Sequence, residues 1–512
     1  MTQAVRATLD EPLQGVKLLV VGFMVALANF VVILDTSIAN VSIPNIAGGL
    51  SVSPSQGTWV VTSYAVADAI VVPLTGWLAT RYGPVRVFTA ALMMFGFWSA
   101  VCGLSHSLTA LVIARVLQGA SGGPMIPLSQ TLLIRVFGRD RASSATGIWA
   151  STTLLAPILG PILGGEISDR FGWPWIFYVN VPIAVVCSIM VWRLIGKRDD
   201  KPKPVPVDFV GLALLVTWVG AMQIILDKGR ELDWLASPLI LMLTVISVIG
   251  FIAFILWELT ADNPVVNLKI FRNRTFALCC IVLAVGYGSS FGSWILVPLW
   301  LQVNMGYTAT MAGRVMGING VVAFLSAPLV VRLVSKVDSR KLVTFGLVVG
   351  GFAMYMRTGF ASNDTFWGIA SANVVQGFCT PFFFLPVTVL ALSRFEGEIV
   401  ATAAGLASFV RTTAGAFGAS IFTTMWDNSA SRSHAELAAT LHNPEQAMQM
   451  LMQLGFSADQ ARAQIDYIVT GQSLMLATVN SFYVLTALLV LSAIPIWLVP
   501  RPPQVTGPSV AH

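Results

Sequence analysis

LLVVGFMVALANFVVIL, residues 18–34, is a run of seventeen residues without a charge, and the residue that follows it is Asp35. Apolar character resumes at once, with SIANVSI over 37–43. A segment of this kind crosses a bilayer as a helix, because about 20 apolar residues rising ~1.5 Å each match the hydrocarbon thickness. A carboxylate placed in hydrocarbon is costly, and its default reading is functional. A proton removes that cost, so Asp35 reads as a group that takes up and releases one inside a membrane protein.

The rest of the chain fits that setting. Of 512 residues 56% are hydrophobic and only 11% charged, and mean hydropathy is +0.78, whereas soluble domains carry about a quarter charged residues. Stretches of spanning length recur at about fourteen places, near 17–41, 57–79, 86–104, 108–134, 142–165, 175–195, 208–226, 237–257, 275–303, 309–333, 342–360, 366–392, 400–424 and 472–499. Such runs are helices; a barrel would show short alternating segments. The first run is too long for the apolar core of a cleavable signal and is expected to remain as a helix.

A net charge of +6 raises the question of nucleic acid, but the basic residues follow the loops instead. With the N-terminus in the cytoplasm, the inside segments hold Arg6, Lys17, Arg81, Arg86, Arg135, Arg139, Arg141, Arg193, Lys197, Arg198 and others through Arg394 and Arg501, against Arg170, Lys228, Arg230, Arg432 and Arg462 outside. That bias of roughly four to one predicts both termini in the cytoplasm. Cys102, Cys187, Cys279, Cys280 and Cys379 all fall in apolar segments and read as packing residues; no histidine lies in a span, so a metal site has nothing to build on.

The chain repeats itself. Pro73, Leu74, Leu78, Arg81, Arg86 and Val87 match Pro328, Leu329, Leu333, Lys336, Lys341 and Leu342 at equal offsets, and Gln118-Gly119 matches Gln376-Gly377. Parallel six-helix halves with a substrate path between them are expected. The division is 1–195 for the first bundle, 196–260 for a solvated linker plus two inserted, peripheral helices, and 261–512 for the second bundle. The second carries an external loop at about 426–471, in which Asn443-Pro444-Glu445-Gln446 and Ser457-Ala458-Asp459-Gln460 each start a short helix and Gly455 ends the first. Its Met-rich face is either a cover for its own bundle or a docking surface.

Beside Asp35, Asp68 in the second span is a further proton candidate or a hydrogen-bonded structural acid. Arg115 in the fourth span needs a counter-charge; next to a titrating Asp it is either a coupling switch or a structural ion pair. Its counterpart in the second half is Asn373, so only the first half is expected to carry a buried cation there, with Arg411 as another candidate and Arg314 and Arg357 snorkelling from span ends. Pro157, Gly160, Pro161, Gly164 and Gly165 predict a bent, closely packed fifth span. Gly76, Arg81, Gly83 and Arg86 mark a tight turn between spans two and three that can latch or simply retain topology. Asn29, Phe30, Gln118, Phe291, Trp294, Gln376, Phe383, Phe384 and Arg411 are candidate substrate-contacting residues, with aromatic faces gripping varied apolar molecules.

These segments resemble the major facilitator superfamily, specifically its fourteen-helix drug:proton antiporter branch and the EmrB-type multidrug exporters. Leu34 to Pro44 resembles the branch's first-helix signature, Gly76 to Arg86 the superfamily's loop motif, Arg115 to Gly119 its helix-4 motif and Gly160 to Gly165 its antiporter motif; Trp175 to Pro182 and Asp227 to Trp234 resemble branch-specific segments. Thr80 stands where the family loop motif commonly has an acid, and Pro84 near where it has a further basic residue, which leaves the latch's detail open. The resemblance implies an all-α integral membrane protein of two six-helix bundles plus two inserted helices. It further implies export of hydrophobic toxic compounds from the bacterial inner membrane against proton entry, with no cofactor beyond the proton. Asp35 and Arg115 would lie in the coupling path, and a periplasmic adaptor and an outer-membrane channel would be partners. A proton-coupled importer uses the same machinery. A membrane enzyme acting on lipids would show a catalytic cluster at an interface loop, and none is apparent.

Overall fold

A computed structural model describes residues 13–500 apart from 53, 205, 230, 263, 308, 362–363, 396–398 and 441–443. Within its helices, the side chains of 44, 54, 55, 139, 143, 154, 157, 158, 161, 169, 309, 310 and 444 are likewise outside the description. Arg6, Arg230, Arg501 and Asn443, to which the sequence gives roles, and both chain ends lie outside the described residues.

Among the described residues there are helices and no strands. Spanning helices run as α1 (Gly15–Val41), α2 (Trp59–Tyr82), α3 (Pro84–Gly103), α4 in two pieces (Leu108–Gly122 and Met125–Phe137), α5 (Ala142–Phe171), α6 (Trp175–Arg198), α7 (Phe209–Lys228), α8 (Pro238–Thr260), α9 (Arg274–Val303), α10 (Ala309–Val334), α11 (Ser339–Gly359), α12 (Phe366–Leu392) and α13 (Ile399–Thr440). A short α14 (Pro444–Gln453) precedes α15 (Ala458–Leu498). Twelve are long and apolar enough to cross a bilayer as they stand, and α4 and α5 complete about fourteen. The interruption in α4 falls at Gly123-Pro124, where proline withholds a backbone donor. In α5 the helix runs unbroken through 157 and 161, so the bend expected there does not interrupt it.

The packing repeats. In the first bundle α1 lies on α5, α2 on α4 and α3 on α6; in the second, α9 lies on α13, α10 on α12 and α11 on α15. Glycines permit the closest approaches, as membrane helices gain no hydrophobic drive from one another and depend on van der Waals contact. Gly160 of α5 abuts Ser37 of α1, and a Cβ added at Gly164 would lie 3.2 Å from the Ile38 carbonyl, so the small-residue stripe of α5 is seated directly beside Asp35's helix turn.

Between bundles, α5 crosses α10 and α12, while α13 packs on α2 and on the second piece of α4. Gly76 of α2 abuts Thr402 of α13, Gly147 of α5 abuts Val331 of α10, and Gly405 of α13 faces the Val72 carbonyl so closely that an added Cβ would lie 3.3 Å from it. These contacts gather at the helix ends that carry the basic loops, so the two bundles are closed on that basic face.

The inserted pair is less peripheral than its sequence predicts. Only 17% of the most apolar window of α8 is buried, as a lipid-facing helix requires, but α7 touches both bundles. Lys228 donates to Thr58 Oγ1 at 2.6 Å, Ser420 to the Leu226 carbonyl at 3.0 Å, and Trp218 packs edge-on to Phe409 at 6.0 Å. The external loop also differs: α13 continues well past the membrane run to Thr440, and the helix started by Ser457 is continuous with the last span. Its capping box forms as its residues imply, with Gln460 N–H on Ser457 Oγ at 3.2 Å and Ser457 N–H on Gln460 Oε1 at 2.9 Å.

Candidate functional site

Asp35 is 2% exposed in α1, and two other helices, α4 and α6, supply its partners. Arg115 Nη1 of α4 donates to Oδ2 at 2.6 Å, Gln118 Nε2 to Oδ1 at 3.1 Å, and Asn180 Nδ2 of α6 to Oδ1 at 2.7 Å. Every partner is an N–H donor, which suits an ionised carboxylate. Arg115, fully buried, is held by further contacts: Nε donates to the Val60 carbonyl at 3.0 Å, Nη1 to Gln118 Oε1 at 2.8 Å, and the Tyr64 ring lies 4.3 Å away. Asn180 in turn donates to Ser99 at 3.1 Å. The pair is electrically neutral, and apart from Arg115 Nη2 its polar atoms are hydrogen-bonded, a condition under which a buried ion pair is tolerable. Protonating Asp35 in place strands the arginine.

A second polar centre sits between the bundles. The Arg411 guanidinium of α13 lies 5.2 Å from the Trp149 ring of α5, 5.4 Å from Phe384 of α12 and 5.7 Å from Tyr287 of α9. Trp149 stacks on Phe384 at 5.8 Å, and Tyr287 continues the aromatic wall to Phe291 at 5.8 Å and Trp294 at 6.0 Å. Asp68, half-buried in α2, is within electrostatic range of Arg411. Behind Trp149 the Nε1–H donates to Ser129 at 3.0 Å; Ser129 donates to Asn29 Oδ1 at 3.2 Å, and Asn29 donates to Thr152 and Thr153 at 3.0 Å each. The indole is thus fixed in the first bundle while its face is covered by the second. Cation–π contacts of a desolvated arginine are worth about 2 kcal/mol.

On the basic face, the linker after α6 is docked rather than solvated. Asp199, its side chain 2% exposed, accepts the Val85 and Arg86 N–H groups at 2.9 and 3.1 Å and so caps the start of α3. Burial pushes its carboxyl pKa up against the opposing pull of those N–H groups. Asp200 forms a bidentate pair with Arg135 at 2.7 and 2.9 Å, Lys203 N–H donates to the Thr80 carbonyl at 3.2 Å, and Trp77 Nε1 to the Pro206 carbonyl at 3.3 Å. Gly83 has φ +94°, and a Cβ there would occupy the space of the Asp199 carboxylate. Arg81 lies over Trp77 and Tyr82, and the Arg86 side chain is half exposed. The linker reading holds for residues 201–204, which are exposed.

A model of the Major Facilitator Superfamily matches residues 25–419. The chain is 41% identical over 503 residues to the multidrug export protein EmrB of Escherichia coli (strain K12), covering 97% of this chain and 98% of that one. It is 38% identical over 503 residues, at 97% and 98% coverage, to the fatty acid resistance protein FarB of Neisseria gonorrhoeae. The chain belongs to the major facilitator superfamily, in its EmrB-type branch. Among solved structures, the proton:xylose symporter XylE bound to 6-bromo-6-deoxy-D-glucose shares the fold, with a TM-score of 0.60 at 14% identity over 94% of this chain and 96% of that one. A multi-pass transporter is the class this establishes.

Within this facilitator fold, the sequence candidates fall into separate places. Asp35 and Arg115 meet; Gln118 belongs to their network rather than to a substrate wall. Asp68, Arg411, Phe384, Phe291 and Trp294 gather at the bundle interface, while Asn29 supports Trp149 from behind. Phe30 packs half-buried into the core, and Phe383 is buried against Gly286 and Gly346. Gln376 accepts from Arg357, which is wholly buried and does not snorkel. That corrects the expectation that only the first half holds a cation at this level: α11, not α12, delivers it. Asn180, Tyr64, Trp149, Tyr287, Asp199 and Asp200 were not singled out by sequence. Asn180 alone had a signal, an amide within IFYVNVPIAVV, residues 176–186.

Proposed function

We propose that this facilitator exports hydrophobic or amphipathic compounds in exchange for protons, by alternating access between its two bundles. The observation that carries the reading is the buried Asp35–Arg115 pair in a chain so similar to multidrug export protein EmrB. The basic face is cytoplasmic, following the distribution of arginine and lysine, and the bilayer is the bacterial inner membrane. In the state described that face is closed. Opening it separates Gly76 from Thr402 and draws Trp149 off Phe384 and Arg411, which releases the aromatic wall and leaves Arg411 to Asp68 and water. Asp35, Arg115 and Asp68 form the coupling path, and the wall of Trp149, Tyr287, Phe291, Trp294 and Phe384 receives the cargo. A proton entering across about 150 mV supplies roughly 3.5 kcal/mol, which sustains a few-hundred-fold gradient of a neutral compound.

The outer hairpin supports a partner at the opposite face. Met450 of α14, Leu454 in the turn after it and Tyr467 of α15 are each about 70% exposed, and a groove of about 720 Å³ between Trp234, Met425, Arg432 and Asn480 lies at the base of the hairpin. We assign this surface to a periplasmic adaptor that leads to an outer-membrane channel. Dye retention in cells tests the export reading. Native protein should lower dye content until an uncoupler is added, and Asp35→Asn should not lower it. An unchanged dye content with native protein overturns the reading.

A further inference from the structure

The second bundle contains a mirror of the Asp35 site that lacks its anion. Asp35, Ser99, Arg115 and Gln118 are each separated by the same number of residues from Ser293, Arg357, Asn373 and Gln376. The two sets occupy equivalent helices: α1, α3 and α4 in one bundle, α9, α11 and α12 in the other. The charge has moved within the set. In the first bundle the arginine is on α4 and reaches the aspartate on α1. In the second the arginine is on α11, in the position of Ser99, and what it reaches on α9 is a serine.

Arg357 is 0% exposed, as are Ser293 and Asn373, and Gln376 is 2% exposed. Its Nη1 donates to Ser293 Oγ at 3.0 Å and lies 3.0 Å from Met354 Sδ; Nη2 donates to Asn373 Oδ1 at 2.8 Å and to Gln376 Oε1 at 2.5 Å. Phe482 of α15 stands beside the guanidinium at 5.5 Å. All of these partners are neutral. Among the described residues no carboxylate pairs with Arg357, in contrast to Arg115. Two buried donors of the cluster, Arg357 Nε and Asn373 Nδ2, have no acceptor. A permanently charged guanidinium enclosed without a counter-charge is the costliest arrangement a protein interior can hold, and side-chain dipoles offset only part of it. Both the missing charge and the missing acceptors have the same remedy.

We propose that Arg357, Asn373, Gln376 and Ser293 form a binding site for one monovalent anion, either a halide ion or the carboxylate group of an organic acid, which takes the part that Asp35 plays in the first bundle. The Ser293 side is where the anion enters the set, since it occupies the position of the Asp35 carboxyl.

The test uses the purified full-length chain in detergent and reads its thermal unfolding midpoint as chloride or acetate is raised from 1 to 100 mM, with ionic strength held by sodium Hepes. Native protein should gain midpoint with at least one of the anions. Chloride alone acting identifies a small inorganic ion; acetate acting at lower concentration than chloride identifies the carboxylate of an organic acid. Ser293→Asp supplies the counter-charge from the chain, so it should begin at a higher midpoint without added anion and require at least tenfold more anion for any shift. Arg357→Gln should lose the response. A native midpoint indifferent to both anions overturns the proposal, and so does an undiminished response in Ser293→Asp, which keeps the test decisive if Arg357→Gln does not fold.

Discussion

Replacing Asp35 by Asn removes the one carboxylate that, among the described residues, pairs with Arg115, and keeps the side chain's size. Arg115 Nη1, Gln118 Nε2 and Asn180 Nδ2 all donate to the carboxylate, so an amide can accept from some of them only by turning its own NH2 toward another donor. Breaking a buried pair by removing one partner costs about 3–5 kcal/mol. The second change, Arg115→Gln, removes the stranded cation. The double variant should recover most of the loss, to within about 1–2 kcal/mol of native, because a buried ion pair and a neutral hydrogen-bonded replacement are often nearly equivalent. Denaturant unfolding of the purified chain in mixed micelles measures all three, and dye export in cells measures function. Stability should fall in the single variants and return in the double, while export is lost in all of them. A single variant that costs under about 1 kcal/mol, or a double variant no better than either single, refutes the view that the two charges hold each other in a dry site.

Gly76→Val inserts a side chain against Thr402 at the closed face. Overpacking of about 1–3 kcal/mol should shift the population roughly five- to 150-fold toward the state open on that face, read as faster thiol labelling of a cysteine introduced at Thr402 in an otherwise cysteine-free chain. Trp149→Ala removes the stack on Phe384 and the contact with Arg411, and should cost about 3 kcal/mol or more in stability and abolish dye export. Asp200→Asn loses the bidentate pair with Arg135, worth about 1 kcal/mol at this partly exposed position, and trypsin should cut after Lys197 and Arg198 about fivefold faster, the bonds after Lys201 and Lys203 being protected by Pro202 and Pro204. Ser457→Ala removes the capping box at about 1 kcal/mol, which hydrogen exchange should register in the first turns of α15.

The spans were legible because hydrocarbon demands long apolar helices, and Asp35 and Arg115 because charge inside them is conspicuous. Ser457 and Gln460 were legible as a cap because that motif is local. Arg357 was hidden by its place near a span end, where arginine ordinarily reaches the surface; its repeat counterpart is an unremarkable serine, Ser99. Asp199 and Asp200 looked like solvated loop acids, since their partners, the α3 N-terminus and Arg135, lie on distant parts of the chain. Trp149 and Tyr287 carried no signal at all: an aromatic in a membrane helix packs against lipid, neighbour or cargo with the same local pattern, and only the meeting of the bundles distinguishes these two.

The most direct measurement of the coupling claim is dye transport by purified protein in sealed vesicles, driven by an imposed pH gradient with the membrane potential clamped at zero. The native chain should move dye uphill in proportion to the gradient, and Asp35→Asn should let dye equilibrate without responding to it. Gradient-driven uphill transport by Asp35→Asn would contradict the account.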